Sequence, residues 1–277
     1  MLDQLLDQLS VYQIALLILA ISVTYAIVVP RYRMWIRKKG RMYHISQMEK
    51  KWNTKVLTMI HKKGEIALLG MPFYQHIDVE DAETILRAIR GAKNRPIDLI
   101  IHSPGGELLS SIQIARALKN HPEKTRVIIP HYSMSGGTLI ALSAEEIVMD
   151  KDAVIGPIDP QIGDIFRGMF PAPSWVKVAE QKGDKADDTT LLIGDMSKKA
   201  LELMRIVVKE LLEDKFENEE GFERIVDKMV GGMIHCYPIS AIEAKSLGLN
   251  INTDFPKEVH DFMNLYKPTK RTVEYLS

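Results

Sequence analysis

The sequence predicts an α/β fold with a mostly parallel sheet, preceded by one N-terminal transmembrane helix. From residue 63 onward, short apolar runs alternate with segments of helical spacing, which is typical of parallel βαβ units. Residues 11–30 contain no charged side chain, and about 20 mainly apolar residues span a hydrocarbon core of roughly 30 Å. A mainly disordered chain is excluded, because 46% of the residues are apolar and 26% are charged.

The flanks of the apolar segment predict its orientation. Asp3 and Asp7 precede it, and six basic residues follow it: Arg31, Arg33, Arg37, Lys38, Lys39 and Arg41. Basic residues stay on the cytoplasmic side of a membrane, so we expect the N-terminus outside and the bulk of the chain in the cytoplasm. A cleaved signal peptide would carry its positive charges before the apolar run. A buried core helix, the alternative, would not need these flanks.

Charge and cysteine content narrow the class of protein further. The chain of 277 residues has 36 Lys and Arg against 36 Asp and Glu, so nothing points to a nucleic-acid partner. The single cysteine, Cys236, excludes an internal disulfide and a thiol-rich zinc site, which fits a reducing compartment. No group of His, Asp and Glu has metal-ligand spacing, and we expect neither a metal nor another cofactor.

The strand and helix signals follow one another along the chain. Predicted strands cover residues 65–69, 97–101, 127–129 and 147–149, and the helices between them cover 78–89, 108–118 and 138–144. Residues 164–190 lack a regular pattern; after them come a helix at 196–212, a second one ending near Val230 and a short one at 241–247. Parallel strands place ligand sites at their carboxyl ends, so we expect the functional site in the loops after Ile101 and Ile129.

Two glycine-rich turns occupy those loops. The first is His-Ser-Pro-Gly-Gly at 102–106, and the second is Ser-Met-Ser-Gly-Gly at 133–137. Each lies between a predicted strand and a predicted helix, so Ser135 places its hydroxyl at the positively polarised end of a helix. Either motif alone is typical of an ordinary turn or helix cap. The two together, on neighbouring turns, favour a nucleophile with a site for an oxyanion.

The glycines of the two turns suit that role. The backbone amide of Gly136 follows Ser135 and points toward an oxyanion formed by attack on a carbonyl, and Gly106 is the best second donor. Gly105 and Gly137 allow the backbone to approach a substrate closely, and we expect both to contact it.

The motif Ser103-Pro104-Gly105-Gly106, with Ser135 thirty residues after Gly105, resembles the Clp protease and signal peptide peptidase A superfamily of serine peptidases. The wider runs at 131–142 and 155–161 resemble the membrane-anchored serine dehydrogenase proteinase family, and residues 238–249 are similar to the closing helix of the superfamily. The resemblance covers roughly residues 60–255. It implies a Clp/crotonase-like ββα spiral and serine peptidase activity.

The expected organisation combines this resemblance with the membrane segment. The predicted regions are a short extracytoplasmic N-terminus at 1–10, a transmembrane helix at 11–30, a basic cytoplasmic connector at 31–62, the peptidase domain at 63–255 and a C-terminal tail at 256–277.

The base that activates Ser135 is the open question of the sequence. A serine nucleophile needs a neighbouring base, and the chain has no histidine between His131 and His235. The resemblance to the signal peptide peptidase A branch implies a Ser-Lys dyad, with Lys185 as the best match for the base. A lysine must be neutral to act so, which requires apolar burial, and three neighbouring aspartates oppose this. The alternatives are Lys177, Lys182 and His235.

We therefore predict a membrane-anchored serine endopeptidase that cleaves peptides or membrane-associated proteins through an acyl-enzyme on the cytoplasmic side. Superfamily members assemble as oligomers, and we expect a homo-oligomer. One alternative is a crotonase-like enzyme acting on acyl-coenzyme A, although no basic loop suits the coenzyme. The other is an inactive membrane-tethered scaffold of the same fold.

Overall fold

The computed structural model describes residues 11–61, 63–68, 71–164, 168–216 and 219–266. These residues form two compact units, of which one contains residues 48–260 and the other contains 11–47 and 261–266. The predicted extracytoplasmic segment at 1–10 and the end of the predicted tail, from 267 onward, lie outside the described residues. The division into functional regions therefore stays a prediction.

The described residues begin with a long helix, α1, at Val11–Trp52. Its most apolar window has a mean hydropathy of 2.2, and none of that window is buried. A helix that is apolar on all sides and uncovered suits a nonaqueous environment. By length and composition, α1 is the one candidate membrane span of the described residues.

A parallel sheet forms the centre of the larger unit. Its described strands, in spatial order, are β1 (Lys55–Ile60), β4 (Ile97–His102), β5 (Thr125–Ile129), β7 (Glu146–Met149) and β12 (Ile251–Asn252). Each neighbouring pair runs parallel. Every residue of β4 is buried, as expected for a central strand covered on both faces. This confirms the predicted mostly parallel α/β architecture.

Eight helices follow α1 in the described residues. They are α2 (Val79–Ala92), α3 (Leu108–Lys119), α4 (Gly136–Ser143), α5 (Ala172–Lys182), α6 (Asp188–Leu212), α7 (Glu219–Met229), α8 (Ala241–Ser246) and α9 (Lys257–Met263). Short 3-10 turns lie at Gly183–Lys185, Glu213–Lys215 and Asn264–Tyr266. Helix α4 is buried along its whole length, so the helix that follows Ser135 belongs to the hydrophobic core.

Three smaller sheets complete the described fold. Hairpins are formed by β2 (Lys63–Leu68) with β3 (Met71–Tyr74), and by β9 (Gln161–Asp164) with β10 (Gly168–Pro171). A three-stranded sheet has the order β11 (Ile239–Ser240), β8 (Val154–Ile155) and β6 (Tyr132–Ser133). In this sheet β8 is parallel to β6 and antiparallel to β11.

Two segments are more regular than the sequence suggested. Residues 31–62, predicted as a connector, continue α1 to Trp52 and then form β1, whose apolar side chains enter the core. Residues 164–190, predicted as irregular, contain part of the β9–β10 hairpin and all of α5. Pro173 favoured a loop in the sequence prediction. Proline nevertheless fits the first turn of a helix, because the backbone nitrogen there has no hydrogen-bond partner within the helix.

Candidate active site

The two glycine-rich turns lie side by side in the structure. Ser103 and Ser133 form a parallel bridge. The amide of Ser103 donates to the carbonyl of Tyr132 at 3.2 Å, and the amide of Met134 donates to the carbonyl of Ser103 at 3.0 Å. The first turn follows β4 and the second follows β6, so both meet beyond the carboxyl end of the central sheet. This is where parallel strands place a ligand site.

Ser135 has a strained backbone at the start of α4. Its φ is 50° and its ψ is −120°, a conformation that non-glycine residues rarely adopt. Its side chain is half-buried and forms no capping hydrogen bond to α4. Ser135 is therefore not an ordinary helix cap, and its hydroxyl stays available on a sharp turn between a strand and a helix.

The amides of Gly106 and Gly136 are neighbours. A methyl group added to Gly136 would lie 3.6 Å from the amide nitrogen of Gly106. Among the described residues, neither of these two amides donates a hydrogen bond. Gly136 is the first residue of α4, where the N–H groups carry the positive end of the helix dipole. The pair therefore has the chemistry of an oxyanion site.

Close packing explains why both turns contain glycine. A methyl group on Gly106 would lie 2.2 Å from the carbonyl oxygen of Ile77, and one on Gly105, whose φ is +102°, would lie 2.7 Å from Cβ of Ser135. A methyl group on Gly137 would lie 2.6 Å from Oγ of Ser133. The turns have no room for side chains at these positions, and among these glycines Gly106 is exposed whereas Gly105, Gly136 and Gly137 are buried. Substrate contact by Gly105 and Gly137 stays a prediction.

A buried chain of hydrogen bonds holds the first turn. His61 lies 2.8 Å from Oγ of Ser103 through Nδ1 and 3.0 Å from Oδ2 of Asp81 through Nε2. An ionised carboxylate only accepts, so in the neutral ring Nε2–H donates to Asp81 and Nδ1 accepts from Ser103. The amide of Gly105 in turn donates to Oγ of Ser103 at 3.1 Å. Burial lowers the pKa of His61 below its usual value, although the Asp81 carboxylate acts in the opposite direction.

The hydrogen-bonded residues His61, Asp81 and Ser103 resemble a catalytic triad, but they position the first glycine-rich turn. The side chain of Ser103 is fully buried, so a substrate has no access to it. Sequence reasoning missed His61 and Asp81, because His61 follows a strand that was read as part of a connector. No local signal connects the two, since His61 follows β1 and Asp81 lies in the first turn of α2, which packs against β1.

The predicted lysine base lies on the surface of the larger unit. Lys185 is exposed and ends the 3-10 turn between α5 and α6. Lys177 and Lys182 are also exposed, and Lys182 lies 3.7 Å from Asp187. Among the described contacts, none joins any of the three lysines to Ser135.

The direction of α5 determines where Lys185 lies. The amide of Ala172, at the start of α5, donates to the carbonyl of Pro160 at 2.8 Å. A helix of 11 residues is about 16 Å long, and Lys185 follows its far end. The Ser-Lys dyad stays a prediction, and the structure supplies Lys185 with no buried surroundings.

His235, an alternative base of the sequence prediction, is held by a buried carboxylate. Its Nδ1 lies 2.8 Å from Oδ1 of Asp159, whose side chain is 0% exposed. Nε2 of the Gln161 side chain donates to the other oxygen, Oδ2, at 3.0 Å. The ring of His235 is 29% exposed, and its Nε2 forms no hydrogen bond to the described residues. Asp159 was missed, because 76 residues separate it from His235.

Comparisons with known proteins give one matching family and several similar chains. A family model described as ClpP-like SDH-type serine proteinase matches residues 3–277. Two relatives come from Methanocaldococcus jannaschii, both described as uncharacterized. The first, MJ0137, is 49% identical over 257 residues, covering 91% of this chain and 88% of the relative. The second, MJ1495, is 47% identical over 239 residues, covering 86% and 80%.

Two solved structures are similar at low sequence identity. One is a mutant of the 1510-N membrane-bound stomatin-specific protease, with a TM-score of 0.48 and 17% identity over 76% of this chain and 83% of the other. The second is ClpP1 from Listeria monocytogenes, with a TM-score of 0.46 and 17% identity over 74% of this chain and 94% of the other.

Proposed function

Because this chain belongs to the family of ClpP-like SDH-type serine proteinases, it is a serine peptidase, and we propose that Ser135 is its nucleophile. One observation carries this proposal: the strained backbone of Ser135 holds an uncapped hydroxyl beside the amides of Gly106 and Gly136. Strain of this kind costs about 1–3 kcal/mol and is retained where function needs it. The two alternatives, an acyl-coenzyme A enzyme and an inactive scaffold, have no support from the family.

The proposed chemistry forms and breaks an acyl-enzyme. Oγ of Ser135 attacks the peptide carbonyl and loses its proton to a base, and the two glycine amides stabilise the oxyanion. The amine leaves with a proton, and water hydrolyses the ester. Removing one such amide donor typically lowers the rate about 10²–10³-fold. A Ser-Lys dyad with Lys185 is one proposal for the base; it requires that a substrate or a second copy covers this exposed side chain.

A serine-reactive probe tests the nucleophile. The detergent-solubilised full chain is treated with a fluorophosphonate, the modified peptide is mapped, and hydrolysis of casein is measured in parallel. We expect labelling at Ser135, and loss of labelling and hydrolysis in Ser135→Ala. The matched control is Ser133→Ala, because Ser133 is buried two residues away and its hydroxyl has no described hydrogen bond. Casein cleavage that survives in Ser135→Ala contradicts the proposal.

We further propose that residues 11–30 anchor the enzyme in the cell membrane, with the N-terminus outside and the peptidase in the cytoplasm. The uncovered apolar surface of α1 supports the anchor, and the basic residues that follow residue 30 support the orientation. The substrates are peptides or membrane-associated proteins that reach the cytoplasmic face. Exposed apolar side chains on α6, such as Leu192, Met196 and Ile206, support a homo-oligomer.

The lone cysteine is a natural reporter of this topology. Cys236 is exposed in the larger unit, so a membrane-impermeant maleimide should label it in lysed cells and leave it unlabelled in intact cells. In a Cys236→Ala background, Asp3→Cys should be labelled in intact cells. Labelling of Cys236 in intact cells would place the peptidase outside and refute the proposed orientation.

A further inference from the structure

We propose that neutral His61 is a positioning residue of the peptidase, which sets the direction of the Gly106 amide through Ser103. This inference rests on the proposed function, in which Ser135 is the nucleophile and the Gly106 amide stabilises the oxyanion. It adds a buried group on which the formation of the oxyanion site depends. A protonated His61 ring should therefore slow the chemical step and leave substrate binding largely unchanged.

His61 joins the first glycine-rich turn to two neighbouring elements. The residue follows β1, and its backbone amide donates to the carbonyl of His102, the last residue of β4, at 2.8 Å. Its side chain is 8% exposed and lies 2.8 Å from Oγ of Ser103 and 3.0 Å from Oδ2 of Asp81. Asp81 is in the first turn of α2, where its carboxylate also accepts from the amide of Asp78 at 3.3 Å. Both ring nitrogens are therefore held by elements that flank the turn.

The hydrogen bonds agree with the neutral form of this ring. The carboxylate of Asp81 accepts, so Nε2 of His61 carries the proton and Nδ1 accepts from the hydroxyl of Ser103. Because this hydroxyl gives its proton to His61, Oγ of Ser103 accepts in turn from the amide of Gly105, at 3.1 Å. Ser103 is 0% exposed, so bulk water does not replace a lost bond. The neutral ring thus determines what the Ser103 hydroxyl does for the turn.

The carbonyl of Gly105 and the amide of Gly106 belong to one peptide unit. Such a unit is planar and trans, so its C=O and its N–H point in opposite directions. The amide of Ile77 donates to the carbonyl oxygen of Gly105 at 2.8 Å, and Ile77 forms a parallel bridge with Gly106. The direction of this carbonyl therefore determines the direction of the Gly106 N–H, which lies beside the start of α4.

Glycine makes this peptide unit easy to turn. Gly105 has a φ of +102°, and a residue without a Cβ resists rotation of the backbone less than other residues do. Its orientation depends on two hydrogen bonds, from its amide to Ser103 and from Ile77 to its carbonyl. If the bond to Ser103 changes, Gly105 keeps only one of them.

Protonation of His61 changes that bond. Both ring nitrogens then donate, so Nδ1 no longer accepts the hydroxyl proton of Ser103. An acceptor within reach of this hydroxyl is the carbonyl oxygen of Gly105, at 3.4 Å. This oxygen already accepts from Ile77, and a second bond draws it toward Ser103. The N–H of Gly106 then turns away from its present direction, because the peptide unit moves as a whole.

The groups around the ring determine the pH at which this happens. Asp81 and Asp78, at the start of α2, favour the protonated ring, and His76 in the preceding segment opposes it. On the β4 side, His102 presents its backbone carbonyl to His61 and packs its own ring against a tyrosine. Burial is the largest effect, and it lowers the pKa of His61 below its usual 6.5. The ring is therefore neutral at neutral pH and gains its second proton below pH 6.5.

The first test measures kcat and KM on a fluorogenic peptide in the detergent-solubilised full chain, with thermal unfolding in parallel. We expect His61→Ala and Ser103→Ala each to lower kcat by about 10–100-fold with little change in KM, since misplacing a catalytic group by about 1 Å lowers rates about 10²-fold. The double variant should be no slower than Ser103→Ala, because His61 acts through Ser103.

The matched control is a buried polar residue at the other end of the same strand. Asp98 is near the start of β4, whereas Ser103 follows its end, and the side chains of both are buried and hydrogen-bonded. Asp98→Asn should lower the thermal unfolding midpoint and keep the wild-type kcat. This separates a loss of stability from a loss of positioning.

His61→Asn provides a rescue and a pH readout. The side-chain oxygen of asparagine accepts a hydrogen bond in place of Nδ1 and does not titrate. We expect this variant to keep most of the wild-type kcat at neutral pH. Below pH 6.5 the wild type should lose activity more steeply than His61→Asn, because the base of Ser135 titrates in both and His61 titrates in the wild type alone.

Wild-type kcat in a folded His61→Ala variant, together with a slow Gly106→Ala variant, overturns this inference and leaves the proposed function intact. Equal loss of activity at acid pH in the wild type and His61→Asn also overturns it, as does a double variant with the product of the two single losses. If His61→Ala does not fold, kcat of Ser103→Ala and the pH profile of His61→Asn decide. Casein cleavage that survives in Ser135→Ala is the separate failure of the proposed function.

Discussion

Replacing Gly106 by alanine should remove one oxyanion donor by displacing it. The added Cβ would lie 2.2 Å from the carbonyl oxygen and 2.4 Å from the amide nitrogen of Ile77. Both are backbone atoms of a bridge in which the amide of Ile77 donates to Gly105 and the amide of Glu107 donates to Ile77, each at 2.8 Å. Nonbonded atoms prefer separations near 3.5 Å, so the turn must move by about 1 Å.

A displacement of this size has a known effect on catalysis. Misplacing a catalytic group by about 1 Å lowers rates about 10²-fold, and losing an oxyanion donor lowers kcat about 10²–10³-fold, or about 2.7–4 kcal/mol. We therefore expect Gly106→Ala to lower kcat on a fluorogenic peptide by about 10²–10³-fold. Overpacking should also lower the free energy of unfolding by about 1–3 kcal/mol, measured by chemical denaturation.

The control is another glycine with free space around it. Gly91 is an exposed residue of α2, and an added Cβ would meet no atom within 4 Å. Gly91→Ala should keep the wild-type kcat and raise the free energy of unfolding by about 0.5–1 kcal/mol, because alanine favours a helix. A folded Gly106→Ala variant with wild-type kcat would refute the assignment of the Gly106 amide to the oxyanion site.

Three further predictions concern stability. Burial lowers the pKa of His61 below its usual 6.5, so the unfolded chain binds this proton at a higher pH than the folded protein. The stability that neutral His61 contributes is complete above pH 6.5 and is lost as the pH falls toward the lowered folded pKa. Between about pH 7 and pH 5, the free energy of unfolding measured by chemical denaturation should therefore fall less in His61→Gln than in the wild type. Asp98 is fully buried and binds Arg126 through both oxygens, at 2.6 and 2.8 Å. Asp98→Asn should therefore lower the free energy of unfolding by about 3–5 kcal/mol. The control is Glu210→Gln, which breaks an exposed ion pair and should cost about 0–1 kcal/mol. Nζ of Lys215 donates to two carbonyls at the end of α4, each at 2.6 Å, and Lys215→Met should lower the thermal unfolding midpoint, with about 1–3 kcal/mol lost because these acceptors become unsatisfied.

Local patterns in the sequence were sufficient for the fold class and for the turn that contains the proposed nucleophile. The buried strand at 97–102 contains four apolar residues, and α2 shows its helical period, because each pattern reflects residues that are close together along the chain. The turn containing Ser135 could be found for the same reason, since strand, glycines and helix follow one another directly. The α5 helix was missed because Pro171 and Pro173 are typical of a loop. Pro173 fits a helix only because the helix starts at Ala172, which places this proline in its first turn.

Three features can therefore be predicted from the order of residues alone: the apolar N-terminal helix, the alternating α/β pattern and the two turns that meet at Ser135. The groups that support these turns become visible only in the folded chain. The pairs that join His61 to Ser103 and His235 to Asp159 are 42 and 76 residues apart. Their contacts depend on the order and direction of strands that meet only in the folded chain, and no periodicity along the sequence records that order.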